Sequence, residues 1–268
     1  MPARQVAGHT KVGGKWVSRD ETIWGRNVVL EALRAGRPFN KILLSPGGRG
    51  KEVAAIREEA RLRGVPVEEV DRRRLDQLAE GGNHQGVLAL AAARAYVEVE
   101  DLVARARAAG EAPLLVLLAH VEDPRNLGAA ARSAAAAGAH GLIIPGRRAA
   151  QVTAAAEKAA AGALEYLPVA RVNNLAQCLK ELKVAGLWVV GADMEGEQVY
   201  FDADLSGPLV VVVGGEDKGL GTLIKRECDF TVRIPLIGPV PSLNVAVAAS
   251  LLLYEVLRQR RARSSMKS

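Results

Sequence analysis

The sequence predicts an α/β protein in which the larger, C-terminal part contains a mostly parallel sheet of six strands. Six apolar runs recur between residue 114 and the strand that begins at residue 230, and segments with helical spacing separate them. The runs are nearly continuous in Val, Leu and Ile, which is typical of strands covered by helices on both faces. Because strands and helices alternate, neighbouring strands are expected to run parallel.

In chain order, the predicted strands cover residues 114–120, 141–145, 164–172, 187–193 and 209–215, followed by the strand from residue 230. Helices are predicted over residues 126–137, 150–161, 174–185, 220–227 and 245–261. Asn126 is expected to cap the first of these helices, and Ser242 is a candidate cap for the last.

The N-terminal part predicts a small α/β domain over residues 21–96. Helices are expected over residues 22–36, 51–63 and 71–79, and strands over 41–45, 65–70 and 86–92. Residues 97–112 alternate charge and alanine and are interpreted as a linker, which leaves residues 113–268 as the second domain. The run from Gly47 to Lys51 resembles a phosphate loop, but Glu52 stands where Ser or Thr must bind magnesium, so we interpret it as a turn.

Composition restricts the class of protein. The chain has 268 residues, of which 49% are hydrophobic, enough for one large or two smaller cores. No apolar run is long enough to span a membrane. The two cysteines, Cys178 and Cys228, have no metal-ligand spacing, so we expect a reduced, cytoplasmic protein without a metal.

The net charge of +6 is concentrated at the two ends of the chain. Residues 1–20 carry +3 and residues 258–268 carry +5, which leaves −2 for the 237 residues between them. Basic ends suit a polyanion such as RNA, although they also serve to keep a protein soluble. The sequence leaves open whether residues 1–20 are ordered or a disordered basic tail.

Three polar loops follow predicted strands. The first contains Asn126 and Arg132, the second contains Gly214 and Glu216, and the third leads to Ser242 and Asn244. Ligands of parallel α/β sheets bind beyond the carboxyl ends of the strands, so the three loops are expected to form one site. Neither a G-x-G-x-x-G fingerprint nor a G-x-S-x-G elbow is present, which argues against a nucleotide-dependent oxidoreductase and a serine hydrolase.

The loop sequences DPRNLGAAARSAAAAG, GGEDKGL and IPLIGPVPSLNVAVAASLLLYE resemble, in this order, the three signature motifs of the SpoU (TrmH) branch of the SPOUT RNA methyltransferases. The resemblance covers about residues 114–261. The N-terminal domain, with its NHQGV segment, looks like the ribosomal-protein-like substrate-binding domain of the ribosomal RNA guanosine 2′-O-methyltransferases. Transfer RNA members often lack that domain, which favours ribosomal RNA here.

The resemblance implies S-adenosyl-L-methionine as the methyl donor, a C-terminal trefoil knot and a homodimer. It places the cofactor against the backbone of Gly214, Ile234 and Leu243. The catalytic polar cluster of the family corresponds to Asn126, Arg132, Glu216, Ser242 and Asn244, all present in this sequence. Two positions depart from the family pattern: Asp217 replaces a glycine and Ala160 replaces a frequent serine.

The expected reaction is methylation of a guanosine ribose 2′-hydroxyl in large-subunit ribosomal RNA. The family proposal makes Arg132 the general base, but a charged guanidinium has no hydrogen-bond acceptor. Arg132 is therefore either transiently neutral, or it orients a phosphate while a phosphate oxygen or water takes the proton. The same chemistry on transfer RNA or on an antibiotic-target nucleotide, and a catalytically silent RNA-binding protein, are the alternatives.

Overall fold

The computed structural model describes residues 9–12, 15–18, 22–48, 50–91, 96–146, 149–215 and 218–265, which form two compact units. The first unit comprises Met1–Ala95 and Val152–Glu165, and the second comprises Tyr96–Gln151 and Tyr166–Ser268. The first unit therefore takes in a segment that lies far along the chain from its other residues. In the described part of the chain, no helix combines the length and the apolar character needed to cross a membrane.

The first unit is built on a four-stranded sheet with helices on both faces. The chain order is β1 (His9–Val12), β2 (Lys15–Ser18), β3 (Thr22–Trp24), α1 (Arg26–Arg34), β4 (Phe39–Leu44), α2 (Lys51–Leu62), β5 (Val67–Glu69), α3 (Arg72–Ala79) and β6 (Val87–Ala91). The sheet order is β3-β6-β4-β5, in which only β4 and β5 pair in parallel. Strands β1 and β2 form a separate antiparallel pair.

The two faces of this sheet have separate cores, as its alternating side chains require. Ile42 and Leu44 of β4 pack with the apolar sides of α1 and α2, whereas Leu43 packs with Leu75 of α3. The sequence prediction was wrong at the start of this unit, where Thr22–Trp24 is a strand rather than the first turn of a helix. This strand pairs with β6, and α1 begins only after Gly25, whose φ of 103° is unsuitable for most residues.

The second unit contains a seven-stranded sheet in which every pairing is parallel. Its elements are α4 (Val99–Ala108), β7 (Leu114–Leu118), α5 (Pro124–Ala136), β8 (Gly141–Pro145), β9 (Val169–Val172), α7 (Leu175–Val184), β10 (Trp188–Ala192), β11 (Gln198–Val199), β12 (Leu209–Val213), α8 (Thr222–Glu227), β13 (Phe230–Arg233) and α9 (Val245–Ser265). The strand order is β11-β13-β10-β12-β7-β8-β9. Helices α4, α7 and α8 contribute to the core on one face, whereas α9 contacts β12 and packs against α5.

The parallel α/β architecture predicted from the apolar runs is confirmed, with differences in detail. A seventh strand, β11, has only two residues and was not predicted. Strand β9 is shorter than expected because residues 163–165 form a 3-10 turn. Residues 99–108 form α4, whose Leu102 and Val103 are buried in the core beneath the parallel sheet. The trefoil knot stays a prediction.

The inserted segment Val152–Glu165 supplies α6 (Ala154–Ala160) and the 3-10 turn Ala163–Glu165 to the first unit. Within this unit, the Arg37 guanidinium lies 2.6 Å from the Glu157 carboxylate and 3.2 Å from that of Glu165. The three side chains are only 6%, 5% and 8% exposed. Burial of charges is tolerated only where they are paired, so this cluster ties the insertion to the N-terminal residues.

Replacing Arg37 by methionine is expected to lower the free energy of unfolding by about 3–5 kcal/mol, because it removes the cation that faces two buried carboxylates. Denaturant unfolding followed by circular dichroism measures the change. Arg34→Met is the matched control, since Arg34 pairs with Glu31 on the surface and should cost less than about 1 kcal/mol. Equal losses in both variants would contradict the structural role of the buried cluster.

Candidate active site

A cavity of about 340 Å³ lies in the second unit at the carboxyl ends of β10, β12 and β13. Its walls come from the residues that follow these strands and from the first turn of α9. The lining residues are Ala192, Asp193, Met194, Glu195, Val213, Gly214, Gly215, Gly219, Val232, Ile234, Leu236, Ser242, Leu243, Val245 and Ala248. The predicted cofactor-binding residues Gly214, Ile234 and Leu243, together with Ser242, therefore share one cavity.

The wall formed by the loop after β12 depends on glycine. The backbone N–H of Gly219 donates to the Gly215 carbonyl at 2.9 Å, which folds the loop back on itself. A Cβ on Gly214 would lie 2.0 Å from the carbonyl carbon of Gly219, and a Cβ on Gly215 would lie 2.2 Å from the His120 carbonyl oxygen. Backbone thus packs directly on backbone, and peptide groups are brought to the cavity surface.

Asn126 and Asn244 join the first and third predicted loops. The Asn244 side chain donates from Nδ2 to Asn126 Oδ1 at 2.9 Å, and its Oδ1 accepts the Ala246 N–H at 2.9 Å. Asn244, rather than Ser242, therefore caps the N-terminus of α9. The chain between β13 and α9 is thus held to the start of α5.

Asn126 does not cap helix α5, contrary to the sequence prediction. Helix α5 begins at Pro124, and its cap is Asp123, whose carboxylate accepts the Arg125 N–H at 2.8 Å. Proline at the first helical position fits this start, because the N–H that it lacks has no intrahelical partner there. Asn126 consequently lies in the first turn, where its side chain reaches Asn244.

Arg132 lies further along α5 and is exposed. Among the described residues, its side chain has neither an ion-pair partner nor a hydrogen-bond partner, so the structure does not bring it together with Asn126 or Asn244. Its neighbour Ser133 instead connects α5 to α9, with its Oγ 2.6 Å from Ser250 Oγ. Glu216, the remaining predicted catalytic residue, and Asp217 lie outside the described residues.

Asp193 is a lining residue that the sequence analysis did not single out. It follows β10 directly, its Oδ1 accepts the Glu195 N–H at 2.9 Å, and the same atom lies 3.1 Å from Lys225 Nζ. The sequence feature that could have identified Asp193 is its position as an acidic residue at the carboxyl end of a buried strand. Asp193 and Glu195 give the cavity negative side chains beside its apolar surface.

The cysteines offer no alternative chemistry at this site. Burial raises the pKa of both Cys178 and Cys228 to about 12, so both thiols are protonated at neutral pH. Within the described ranges, no group of three His, Cys, Asp or Glu side chains has an arrangement that could hold a metal ion.

Two protein families match this chain, one in its N-terminal part and one in its C-terminal part. The SpoU rRNA methylase family matches residues 113–254, and the family described as RNA 2′-O ribose methyltransferase substrate binding matches residues 22–97. A relative of the TrmH family of tRNA/rRNA methyltransferases, YacO of Bacillus subtilis, is 43% identical over 236 residues. That alignment covers 88% of this chain and 94% of the relative.

Solved structures show the same architecture. The SpoU methyltransferase AviRb of Streptomyces viridochromogenes has a TM-score of 0.77 at 30% identity and covers 91% of both chains. Its complex with S-adenosylmethionine has a TM-score of 0.75 at 30% identity and covers 90% of both chains. The A. aeolicus TrmH/SpoU tRNA modifying enzyme has a TM-score of 0.52 at 30% identity and covers 62% of this chain and 85% of its own.

S-adenosylmethionine is the cofactor of this family, and the cavity suits it. Leu236, Leu243 and Val245 offer an apolar surface for a flat base, and the glycine-rich wall offers peptide groups. Glu195 provides negative charge for a ligand that carries a sulfonium and an ammonium group, beside Asp193, whose carboxylate also pairs with Lys225. From its sequence, its fold and this site, the chain belongs to the SpoU family of S-adenosylmethionine-dependent RNA methyltransferases.

Proposed function

We propose that this protein methylates the ribose 2′-hydroxyl of a guanosine in large-subunit ribosomal RNA, and that it acts in the cytoplasm. The observation that carries the proposal is the pairing of the methyltransferase unit with an N-terminal unit that matches a family of RNA 2′-O ribose methyltransferase substrate-binding domains. A 2′-hydroxyl acceptor follows from that family description. The choice of guanosine rests on the resemblance of the N-terminal domain.

The extent of the structural similarities favours ribosomal RNA over transfer RNA. A solved rRNA methyltransferase of Sinorhizobium meliloti, 29% identical with a TM-score of 0.74, matches 90% of this chain, whereas the A. aeolicus tRNA modifying enzyme matches 62% of it and yet uses 85% of its own length. The tRNA enzyme thus accounts for little more than the methyltransferase unit. A substrate that needs both units is more consistent with a ribosomal target.

When bound, S-adenosylmethionine supplies an electrophilic methyl group. The protein has to hold the 2′-oxygen in line with that methyl group, and this alignment provides much of the rate acceleration. The apolar side chains and peptide groups of the cavity wall hold the cofactor and exclude water. The Asn126–Asn244 hydrogen bond fixes the chain around Ser242 and Leu243. We include Glu216 in the catalytic set on the family resemblance alone.

The 2′-hydroxyl must lose its proton as the new bond to carbon forms. We assign Arg132 to the ribose phosphate, because a guanidinium fork matches two phosphate oxygens and has no acceptor for a proton while charged. A phosphate oxygen or water then takes the proton. Arg132 is exposed and has no partner in the described part of the chain, so its guanidinium is accessible to an anionic substrate.

We also propose a homodimer. Val247, Leu251 and Tyr254 occupy one side of α9 at helical spacing and are 47%, 36% and 51% exposed. Ile237 and Val240, in the chain before α9, are exposed as well. Apolar surface of this kind suits burial against a second copy. Light scattering tests this assembly, and a monomer at micromolar concentration would contradict it.

The test of the proposed function uses S-adenosylmethionine labelled in its methyl group. The full chain is offered protein-free large-subunit ribosomal RNA, small-subunit ribosomal RNA and transfer RNA in separate reactions. We expect label in large-subunit RNA, located by nuclease digestion and chromatography on the 2′-oxygen of a guanosine. Label confined to transfer RNA or small-subunit RNA would overturn the substrate, and absence of cofactor binding by calorimetry would overturn the activity.

A further inference from the structure

The first unit contains three arginines that differ from all its other described arginines. Arg72, Arg73 and Arg74, here called the arginine cluster, are consecutive, exposed and located in the first turn of α3. Among the described residues, none of their side chains makes an ion pair or a hydrogen bond. The other six described arginines of the unit each pair with a glutamate: Arg26–Glu52, Arg34–Glu31, Arg37–Glu157, Arg57–Glu69, Arg61–Glu58 and Arg63–Glu59.

Acidic side chains close to the cluster in sequence have partners outside it. Glu68 lies 2.6 Å from Lys41 Nζ, Glu69 pairs with Arg57, and Asp76 lies 2.9 Å from the buried His84 ring. Asp71 precedes the cluster and leaves residues 71–74 with a charge of +2. With Asp76 included, residues 71–76 still carry a net charge of +1, and none of the three arginines is paired in the described part of the chain.

A contribution to stability does not explain why three arginines lie in the first turn of α3. The N-terminus of a helix carries partial positive charge, so cations in the first turn are unfavourable there. The first turn of α3 contains no acidic residue. Only Leu75 and Ala79 anchor this helix by burial.

We propose that the arginine cluster is a binding surface for the phosphate backbone of the RNA substrate. Guanidinium groups without a protein partner keep their donor forks available for phosphate oxygens, and such contacts fix the position of RNA without reading its sequence. The cluster lies within residues 22–97, which match an RNA substrate-binding family. The inference rests on the proposed function and adds the surface of the first unit that receives the RNA backbone.

The test compares two triple variants that remove the same charge from the same unit. One is Arg72→Gln/Arg73→Gln/Arg74→Gln, and the control is Arg34→Gln/Arg57→Gln/Arg61→Gln, three exposed arginines that are already paired with glutamates. Binding of protein-free large-subunit ribosomal RNA is measured between about 50 and 200 mM KCl, a range over which phosphate contacts change affinity strongly.

We expect the cluster variant to reduce the slope of log affinity against log salt by about 2–3, since each phosphate contact contributes about 0.7–0.9. At about 0.1 M salt, this corresponds to an affinity loss of about 100-fold. The melting temperature should stay level or rise, because unfavourable charges leave the helix N-terminus. The control should retain the wild-type slope.

An unchanged slope in the cluster variant, or an equal loss in both variants, would overturn the inference. The first result would mean that the arginines are only solvated, and the second that net charge alone matters. Failure of the proposed function gives a different result. Wild-type protein would then transfer no methyl group to any RNA, whereas the contrast between the two triple variants would still report on the RNA-binding surface.

Discussion

Replacing Gly214 by alanine is expected to reduce the affinity for S-adenosylmethionine by about 100-fold or more. The added Cβ would lie 2.0 Å from the carbonyl carbon of Gly219, 2.1 Å from its oxygen and 2.4 Å from the Leu220 nitrogen. All three are backbone atoms, so the loop itself has to move. Overpacking of this kind costs about 1–3 kcal/mol or more, and about 2.8 kcal/mol corresponds to a factor of 100 in affinity.

The effect should fall on binding because Gly214 and Gly219 both line the cavity. Gly238→Ala is the matched control in the chain between β13 and α9, since a Cβ at Gly238 would meet no atom within 4 Å. Titration calorimetry measures the affinity of each variant, and circular dichroism checks the fold. A Gly214→Ala protein that binds within about threefold of wild type would show that this loop adapts at little cost.

Much of this cavity could be predicted from the sequence because it lies at the ends of apolar strands. A buried parallel strand is easily identified by its continuous run of Val and Leu, and its carboxyl end marks where ligands bind. Gly214 follows β12 and Ile234 follows β13, so the strands indicate the loops that contain them, whereas the individual cofactor-binding positions are implied by the family resemblance. Their closeness in space follows from the neighbouring positions of β10, β12 and β13 in the sheet.

The N-terminal caps of α5 and α9 were predicted wrongly, because several side chains near the start of each helix are able to cap it. Ser242 and Asn244 are both good capping residues, and only the contact with Ala246 N–H identifies Asn244. At α5, Pro124 was the stronger signal, since proline at the first helical position indicates Asp123 as the cap. Once Asp123 takes that role, Asn126 is available to the polar cluster.

The inserted segment Val152–Glu165 could not have been assigned to the first unit from sequence. Its helix has an ordinary pattern, and its position along the chain suggests the second unit. The assignment follows from contacts with residues more than a hundred positions away: α6 packs against β3, and Arg37 meets Glu157 and Glu165. Local propensity contains no information on such a long-range ion cluster.

The roles of the basic C-terminal residues also could not be predicted from their charge. Charge suggested that the basic end binds RNA, and the helix predicted over residues 245–261 continues to Ser265. Arg260 donates to the carbonyl oxygens of Ala112, Pro113 and Gly207 at 2.7–2.9 Å, and burial lowers its pKa. Arg258 and Arg263 pair with Glu255 and Asp204. Arg260 therefore ties α9 to two other segments of the second unit, whereas the unpaired arginine cluster of α3 has no such role.

Replacing Arg132 by alanine is expected to lower the rate constant of methyl transfer by about 10²-fold or more, because the ribose loses the group that orients its phosphate and the 2′-oxygen is misplaced. Arg132 does not line the cavity, so the affinity for S-adenosylmethionine should stay within about twofold of wild type. Single-turnover reactions, in which enzyme and RNA are both in excess over the labelled cofactor, separate the chemical step from binding. Arg105→Ala is the control, because Arg105 is an exposed arginine on α4, away from the cavity.

Arg132→Lys distinguishes the two roles that the chemistry allows. If Arg132 orients a ribose phosphate through its planar fork, lysine keeps the charge but loses the bidentate geometry, so the rate should remain low and vary little with pH. If Arg132 removes the proton itself, lysine can replace it, because a larger fraction of lysine is neutral and able to accept a proton at a given pH. The lysine variant would then recover activity as the pH rises toward 10, and that recovery would overturn the phosphate assignment in favour of direct proton transfer.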